Sequence, residues 1–274
     1  MQSDQSEKKI REFYNSTRME EDRLEQGVFK LEKLRSQAII QRYLIPGGMT
    51  IADIGGATGT YSFWLQREGY SVHLLDSAEA HVEMARQTGK HLKKPLDSVT
   101  FGDARSLPYA DEKFDLVMVF GPLYHLQDQK DRVQTLKEAR RVLKPGGIIL
   151  ASTITRYASL LDGFWRSLIL DPDFAKILDQ DLESGQHQNP TEKAEYFTDA
   201  HFHTETEIKS EFEQAGFSNP KVMAIEGFGW LIPEFEERWR DESYREKLIH
   251  YIEFTETNPV MIGISSHVMT AAIK

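Results

Sequence analysis

The segment Asp53-Ile54-Gly55-Gly56-Ala57-Thr58-Gly59 closes an apolar run and opens directly into the helical stretch YSFWLQREG. Glycines placed where a strand turns sharply into a helix let backbone N–H groups and the positive helix end face a ligand. Taken alone, Gly55, Gly56 and Gly59 would serve a tight turn equally well. The dinucleotide fingerprint needs glycines at relative positions one, three and six; counted from Gly55, the third is Ala57 and the sixth is Thr60. That pattern disfavours a nicotinamide-dependent oxidoreductase, and the absence of a Gly-Lys-Ser/Thr ending excludes a Walker A loop. Two acids are more informative. Asp53 precedes the first glycine by two residues, and Asp76 ends a second apolar run 21 residues after Gly55. A pair of carboxylates suits a ligand carrying a cation and a ribose diol, because both groups donate hydrogen bonds to them.

These residues need strands and helices to hold them. MTIADIGG, SVHLLD, SVTFGD, FDLVMVFG and GIILAS are short apolar runs rich in Val and Ile, each bounded by Gly, Asp or Pro, and they read as five strands. Helical spacing separates them, as in Val133, Leu136, Arg140 and Leu143 before the stop signal Lys144-Pro145-Gly146-Gly147. Strands alternating with helices imply a parallel sheet covered on both faces. Ahead of this core, Leu24, Val28, Leu31 and Ala38 put an apolar stripe on a helical cap. Behind it, residues 155 to 204 lose the alternation and read as an irregular or helical insertion. The pattern resumes with a helix near 205 to 216, a strand near 220 to 226, an acidic helical stretch near 233 to 256 and the final run SHVMTAAI.

From the Asp53 to Gly59 loop onward the chain resembles the class I S-adenosylmethionine-dependent methyltransferases of small-molecule type, whose first motif reads acid-x-Gly-x-Gly-x-Gly. Ala57 stands where that motif has its middle glycine. The resemblance implies an α/β fold: a Rossmann-like, doubly wound, seven-stranded sheet with the last strand antiparallel. Its divisions would be an N-terminal helical cap (1–45), a donor-binding core (46–155), a lid insertion (156–204) and the rest of the core (205–274). The implied cofactor is S-adenosyl-L-methionine, bound by Asp53, Gly55, Gly56 and Gly59, by Asp76 and Ser77 at its ribose, and by Asp103 and Ala104 at its adenine. Phe120 and Gly121 would line the methyl donor, and Tyr14 would close over its methionine part. The phrase RVLKPGG from Arg141 to Gly147 is a further landmark, read as structural.

In open α/β sheets ligands bind outside the carboxyl ends of the strands, so Phe120 to Leu126 must border the reaction centre. Tyr124 packs under the cofactor or acts on the acceptor, and His125 caps the next helix or takes a proton; both alternatives stay open. His203 is a second candidate proton acceptor, since histidine titrates near neutral pH. His201 and His203 share one face of an extended segment, a metal-like spacing, but no cysteine or carboxylate triad accompanies them, and no metal is expected. Tyr196, Phe197 and Trp230 complete the expected acceptor wall. A net charge of −10 argues against a grip on nucleic acid or an anionic membrane. No window is apolar enough to span a membrane, and the chain has no cysteine. The reading is a cytoplasmic enzyme acting on a small-molecule acceptor, with a non-catalytic S-adenosylmethionine-binding protein as the rival. Oligomeric state is not legible.

Overall fold

The computed structural model describes residues 9–10, 24–191 and 193–274. After helix α1 (Phe29–Gln41), the core alternates β1 (Thr50–Ile54), α2 (Thr60–Arg67), β2 (Ser71–Asp76), α3 (Glu79–His91), β3 (Ser98–Phe101) and β4 (Phe114–Phe120). The short α4 (Pro122–His125) and the longer α5 (Gln129–Val142) lead into β5 (Leu143–Ile154). The insertion holds α6 (Ala158–Trp165), α7 (Pro172–Ser184), and a two-stranded pair of β6 (Gln186–His187) and β7 (Ala200–His201). Then follow α8 (Glu205–Gln214), β8 (Ser218–Ala224), α9 (Phe235–Arg240), α10 (Glu242–Thr255), α11 (Pro259–Ile262) and β9 (His267–Ile273).

The main sheet has seven strands in the order β3-β2-β1-β4-β5-β9-β8. Neighbours from β3 to β5 are parallel, while β9 runs antiparallel to both β5 and β8. The expected doubly wound sheet with an antiparallel last strand is therefore the observed one. Its strands are apolar on both faces. Ala52, Ile54, Val117, Val119 and Ile149 pack on one side with Leu136 and Ala139 of α5 and Phe212 of α8. The residues between them, Ile51, Leu116, Met118 and Leu150, pack on the other with Phe63 and Leu65 of α2 and Ile39 and Ile40 of α1. This alternation of apolar residues toward both sides of the central strands requires helices on both faces. Each fully buried Leu, Ile or Met contributes about 1.5–3 kcal/mol.

Two elements differ from the sequence expectation. Lys144-Pro145-Gly146-Gly147 ends α5 as a stop signal should, yet it lies inside β5. Phe114 pairs with Leu143 and Leu116 with Ile148, so three extra residues bulge out between them; Gly146, at φ +76, supplies the left-handed turn. The acidic stretch near 233 to 256 is two helices, broken at Asp241, whose carboxylate accepts from the Tyr244 N–H at 3.1 Å.

Helix α1 is fastened to the far end of the chain. Arg35 is fully buried and donates to Glu253 (2.7 Å) and Glu256 (2.5 Å) of the α10 end and to the Ile225 carbonyl (3.3 Å). Beside it Leu31 packs on Leu248 and Ile252. None of the described helices is long and apolar enough to cross a membrane.

Candidate active site

One cavity runs along the carboxyl edge of the sheet, and the glycine loop is its floor. The turn out of β1 is tight: the Gly55 N–H donates to the Leu75 carbonyl at 2.8 Å. Gly55 sits at φ +79, and a Cβ there would stand 2.5 Å from both the Phe120 carbonyl oxygen and Pro122 Cδ. At Gly56 a Cβ would meet Asp53 Oδ2 at 2.8 Å. Only glycine fits either position. Gly59, at φ +95, makes the left-handed entry into α2, but it faces Phe63 and is absent from the cavity wall. Its part is to turn the chain, which corrects the expectation of ligand contact.

Asp53 is buried, with Oδ2 accepting from Ser62 Oγ at 2.7 Å and Oδ1 without a partner. Burial raises its carboxyl to about 6, a shift the Ser62 hydrogen bond only partly offsets. A buried carboxylate oxygen left unpaired at the cavity wall is a place for a cation or a strong donor. Asp76 ties the loop to β2: its Oδ2 accepts from the Ala57 N–H at 2.9 Å and its Oδ1 from the Ala78 N–H at 2.8 Å. His81 Nδ1 stands 3.4 Å from the same Oδ1, whereas Oδ2, bonded to the Ala57 N–H, can accept a second hydrogen bond from a diol. Ser77, Asp103, Ala104, Phe120 and Gly121 also line this wall. Asp103 is held by Arg105, whose guanidinium reaches it at 2.6 Å and also bridges to Asp131 at 2.8 Å.

Tyr124 and His125 line the cavity beyond the end of β4, their rings 4.6 Å apart. Burial lowers His125 to about 4, partly offset by a backbone hydrogen bond at Asp199. At neutral pH it is a neutral imidazole and a weak base. Tyr14 lies outside the described residues. His203 does not reach the cavity; buried, it stands 3.4 Å from Glu211, which is paired at 2.7 Å with the buried Arg132. The extended segment does bring His201 and His203 together, rings 4.5 Å apart, but its face turns toward α5 and α8. Proton transfer to His203 from a substrate in the cavity is thereby removed. Tyr196 is buried and its hydroxyl donates to Asp171 at 2.7 Å, and Trp230 Nε1 donates to the Ile264 carbonyl at 2.7 Å. Phe197 packs behind His125 at 5.9 Å. These three are supports and not wall.

Sequence reasoning missed the far end of the cavity. Glu32 and Ser36 of α1, Ser152 of β5 and His267 of β9 line it. His267 Nδ1 lies 2.7 Å from Glu226 Oε1, and Glu226 Oε2 accepts from the His267 N–H (2.9 Å) and Ser265 Oγ (3.0 Å). Donor atoms of Glu32, Glu226 and His267 all lie within 4.8 Å of one another. With both oxygens of Glu226 already hydrogen-bonded, the group is a hydrogen-bonded network in place of a set of open metal ligands.

Residues 52–151 match the family model described as a methyltransferase domain. That stretch of the chain is a methyltransferase domain. That domain spans β1 to β5, the strands whose ends build the glycine loop, Asp76, Asp103 and Phe120. Demethylmenaquinone methyltransferase of Lactobacillus johnsonii is 32% identical over 159 residues, covering 57% of this chain and 58% of that enzyme. The corresponding enzyme of Lactococcus lactis is 27% identical over 221 residues, covering 77% and 83%. Among solved structures, a SAM-dependent methyltransferase of Methanosarcina mazei superposes with a TM-score of 0.57 at 22% identity, covering 86% of this chain and 96% of its own, a likeness of fold. The likeness of fold thus extends past the family match to β8 and β9, and the loop and acids of the cavity fit S-adenosylmethionine as the donor.

Proposed function

We propose that this chain transfers a methyl group from S-adenosylmethionine to a small organic acceptor by in-line displacement. The observation that carries the reading is a cavity lined, among the described residues, from the β3 and β2 ends past β4 to β5 and β9. Asp76 holds the ribose diol and Asp53 a donor group with positive charge. Asp103 and Ala104 face the adenine, and Phe120 and Gly121 border the reacting methyl. Ser77 and Gly56 complete that wall.

The bound donor supplies a methyl carbon already activated by its sulfonium. What the protein adds is alignment and the exclusion of water. Tyr124 and the neutral His125 flank the line of attack and orient the acceptor. Among the described residues, Ile10 and Leu24 line the cavity, and Lys9 Nζ lies 2.9 Å from Asp199 of the insertion. Arg105, already paired, is the one Lys or Arg among the described residues of the wall, so the cavity offers no track for a polynucleotide. A chain with no cysteine and a net charge of −10 suits the cytoplasm and a metabolite acceptor.

Calorimetric titration with S-adenosylmethionine, S-adenosylhomocysteine and NAD tests the donor. Binding of the first two and not the third is expected. NAD binding alone refutes the reading.

A further inference from the structure

Leu126, Gln127 and Asp128 link α4 to α5. With only four residues, α4 leaves carbonyls at its end that no later turn of its own can satisfy. Tyr124 and His125 take their place in the cavity wall from this short helix, so whatever holds the link holds them. Arg132 of α5 is buried, and its Nη1 donates to the Leu126 and Gln127 carbonyls, each at 2.9 Å. The other edge of the guanidinium, Nε and Nη2, lies against Glu211 Oε1 of α8 at 3.0 and 2.7 Å. The two Nη1 hydrogens therefore go one to each carbonyl, with a carboxylate fixing the fork behind them.

The Gln127 oxygen takes a second hydrogen bond, from Gln186 Nε2 at 3.0 Å. A carbonyl oxygen has two lone pairs, so both are used, one by α5 and one by β6 of the insertion. The insertion reaches the same wall at a second point. Phe197 packs on the His125 ring at 5.9 Å, and the backbone at Asp199 hydrogen-bonds that ring. The Asp199 carboxylate is held in turn by the Asn189 N–H at 3.2 Å and Lys9 Nζ at 2.9 Å. Because Gln186 pairs with His201 and His187 with Ala200, the two points of grip are joined through the β6–β7 pair.

We propose that Gln186 is a positioning residue for methyl transfer, setting through the Gln127 carbonyl where α4 carries Tyr124 and His125 against the acceptor. The proposal rests on the reading above, in which those two rings meet the acceptor. Gln186 itself is absent from the cavity wall and half-buried, and it acts only through the link. Its amide nitrogen also stands 3.4 Å from His201 Nδ1, so the competing role is to brace the β6–β7 pair alone. Arg132 keeps the other lone pair of Gln127 when Gln186 is replaced, which confines the effect to the wall and leaves the fold in place.

Gln186→Leu and Gln186→Glu test this in the full chain. The first removes both contacts; the second keeps an oxygen that can accept from a His201 Nδ1–H but has no hydrogen to give Gln127. One readout is amide exchange at Tyr124, His125 and Leu126, whose N–H groups bond to Gly121 and Pro122. The other is the ring signals of 13C-labelled histidine, assigned with His125→Asn and His201→Asn. Loss of one hydrogen bond should speed exchange at the three amides about two- to tenfold and shift the His125 signal in both variants. Gln188→Leu, on an exposed neighbour, should change neither. S-adenosylhomocysteine affinity should stay within about twofold, since Asp76 and Asp103 follow other strands. An unchanged His125 signal or unchanged exchange in either variant overturns the proposal, and a shift of His201 alone assigns Gln186 to the β6–β7 pair. A loss of S-adenosylhomocysteine affinity of about tenfold or more overturns it too, by making Gln186 a support of the donor. If the unsubstituted chain binds no S-adenosylhomocysteine, the donor reading fails and the role in methyl transfer with it, while the histidine and amide results still judge the grip on the wall.

Discussion

Replacing Gly55 by alanine should damage both stability and donor binding, by an amount the geometry sets. At φ +79 an alanine pays the left-handed penalty of about 1–2 kcal/mol. Its Cβ would also lie 2.5 Å from the Phe120 carbonyl oxygen and 2.5 Å from Pro122 Cδ. Neither is the free end of a flexible side chain, so relief requires the β1 turn to move off the β4 end, an overpacking cost of about 1–3 kcal/mol more. The total of about 2–5 kcal/mol corresponds to a fall in melting temperature of at least about 4 °C for a chain of this size. Gly69→Ala is the control: φ is +96, but nothing lies within 4 Å of its Cβ, so only the backbone penalty applies. Differential scanning calorimetry on the two variants, with and without S-adenosylhomocysteine, separates the contributions. Because the cavity floor is displaced, Gly55→Ala should also lose most ligand-induced stabilisation, which Gly69→Ala keeps. Equal losses of stability in the two variants, or full ligand stabilisation in Gly55→Ala, would refute the close-approach argument.

Other expectations follow from the same wall. Asp76→Ala should weaken S-adenosylmethionine by about 2–4 kcal/mol, measured by titration, since it removes the charge-assisted bond to the diol as well as the Ala57 and Ala78 anchors. Asp53 and His125 give opposite pH slopes. The Asp53 carboxyl is raised from 3.8 to about 6, so its ionisation costs the fold about 3 kcal/mol as pH rises from about 4 to 6. His125 is lowered from 6.5 to about 4, so its charging costs about 3 kcal/mol as pH falls from 6.5 to 4. Denaturant unfolding should show Asp53→Asn steepening acid lability and His125→Asn reducing it; the same slope in both would contradict the assignments. Hydrogen exchange in residues 24–44 and 156–204 should slow on donor binding if these segments cover the cavity, and unchanged protection would remove that role.

The strands were readable because they are apolar on both faces, so a run such as FDLVMVF stands out whichever face is considered, and the helix between β4 and β5 kept its spacing. The bulge in β5 was hidden because Pro-Gly-Gly is the ordinary signature of a stop; only the pairing of Phe114 with Leu143 reveals a strand beginning before it. The wall proposed for the donor was legible for a simple reason: its residues are contiguous, each group following one strand. Glu32, Glu226 and His267 are not, and each has unexceptional neighbours in sequence. One clue was available, since a last strand antiparallel to the fifth must begin at the carboxyl edge. His203 misled in the opposite way. Alternation fixes which residues share a face but not what that face meets, and here it met Arg132 and Glu211.

The fastening of Arg35 has a consequence for the order in which the protein is made. Its partners Glu253 and Glu256 lie 218 and 221 residues further along the chain. At roughly 5–20 residues per second of synthesis, they leave the ribosome about 11–44 seconds after Arg35 does. Until then the guanidinium has no buried counter-charge and must stay in water, so α1 cannot settle against the sheet. Strand β9, which joins β8 to β5, emerges later still. The glycine loop can therefore form on the nascent chain well before the cavity has its other wall. The glycine-loop side of the cavity assembles first, and a chain stalled before residue 250 would hold half of its wall.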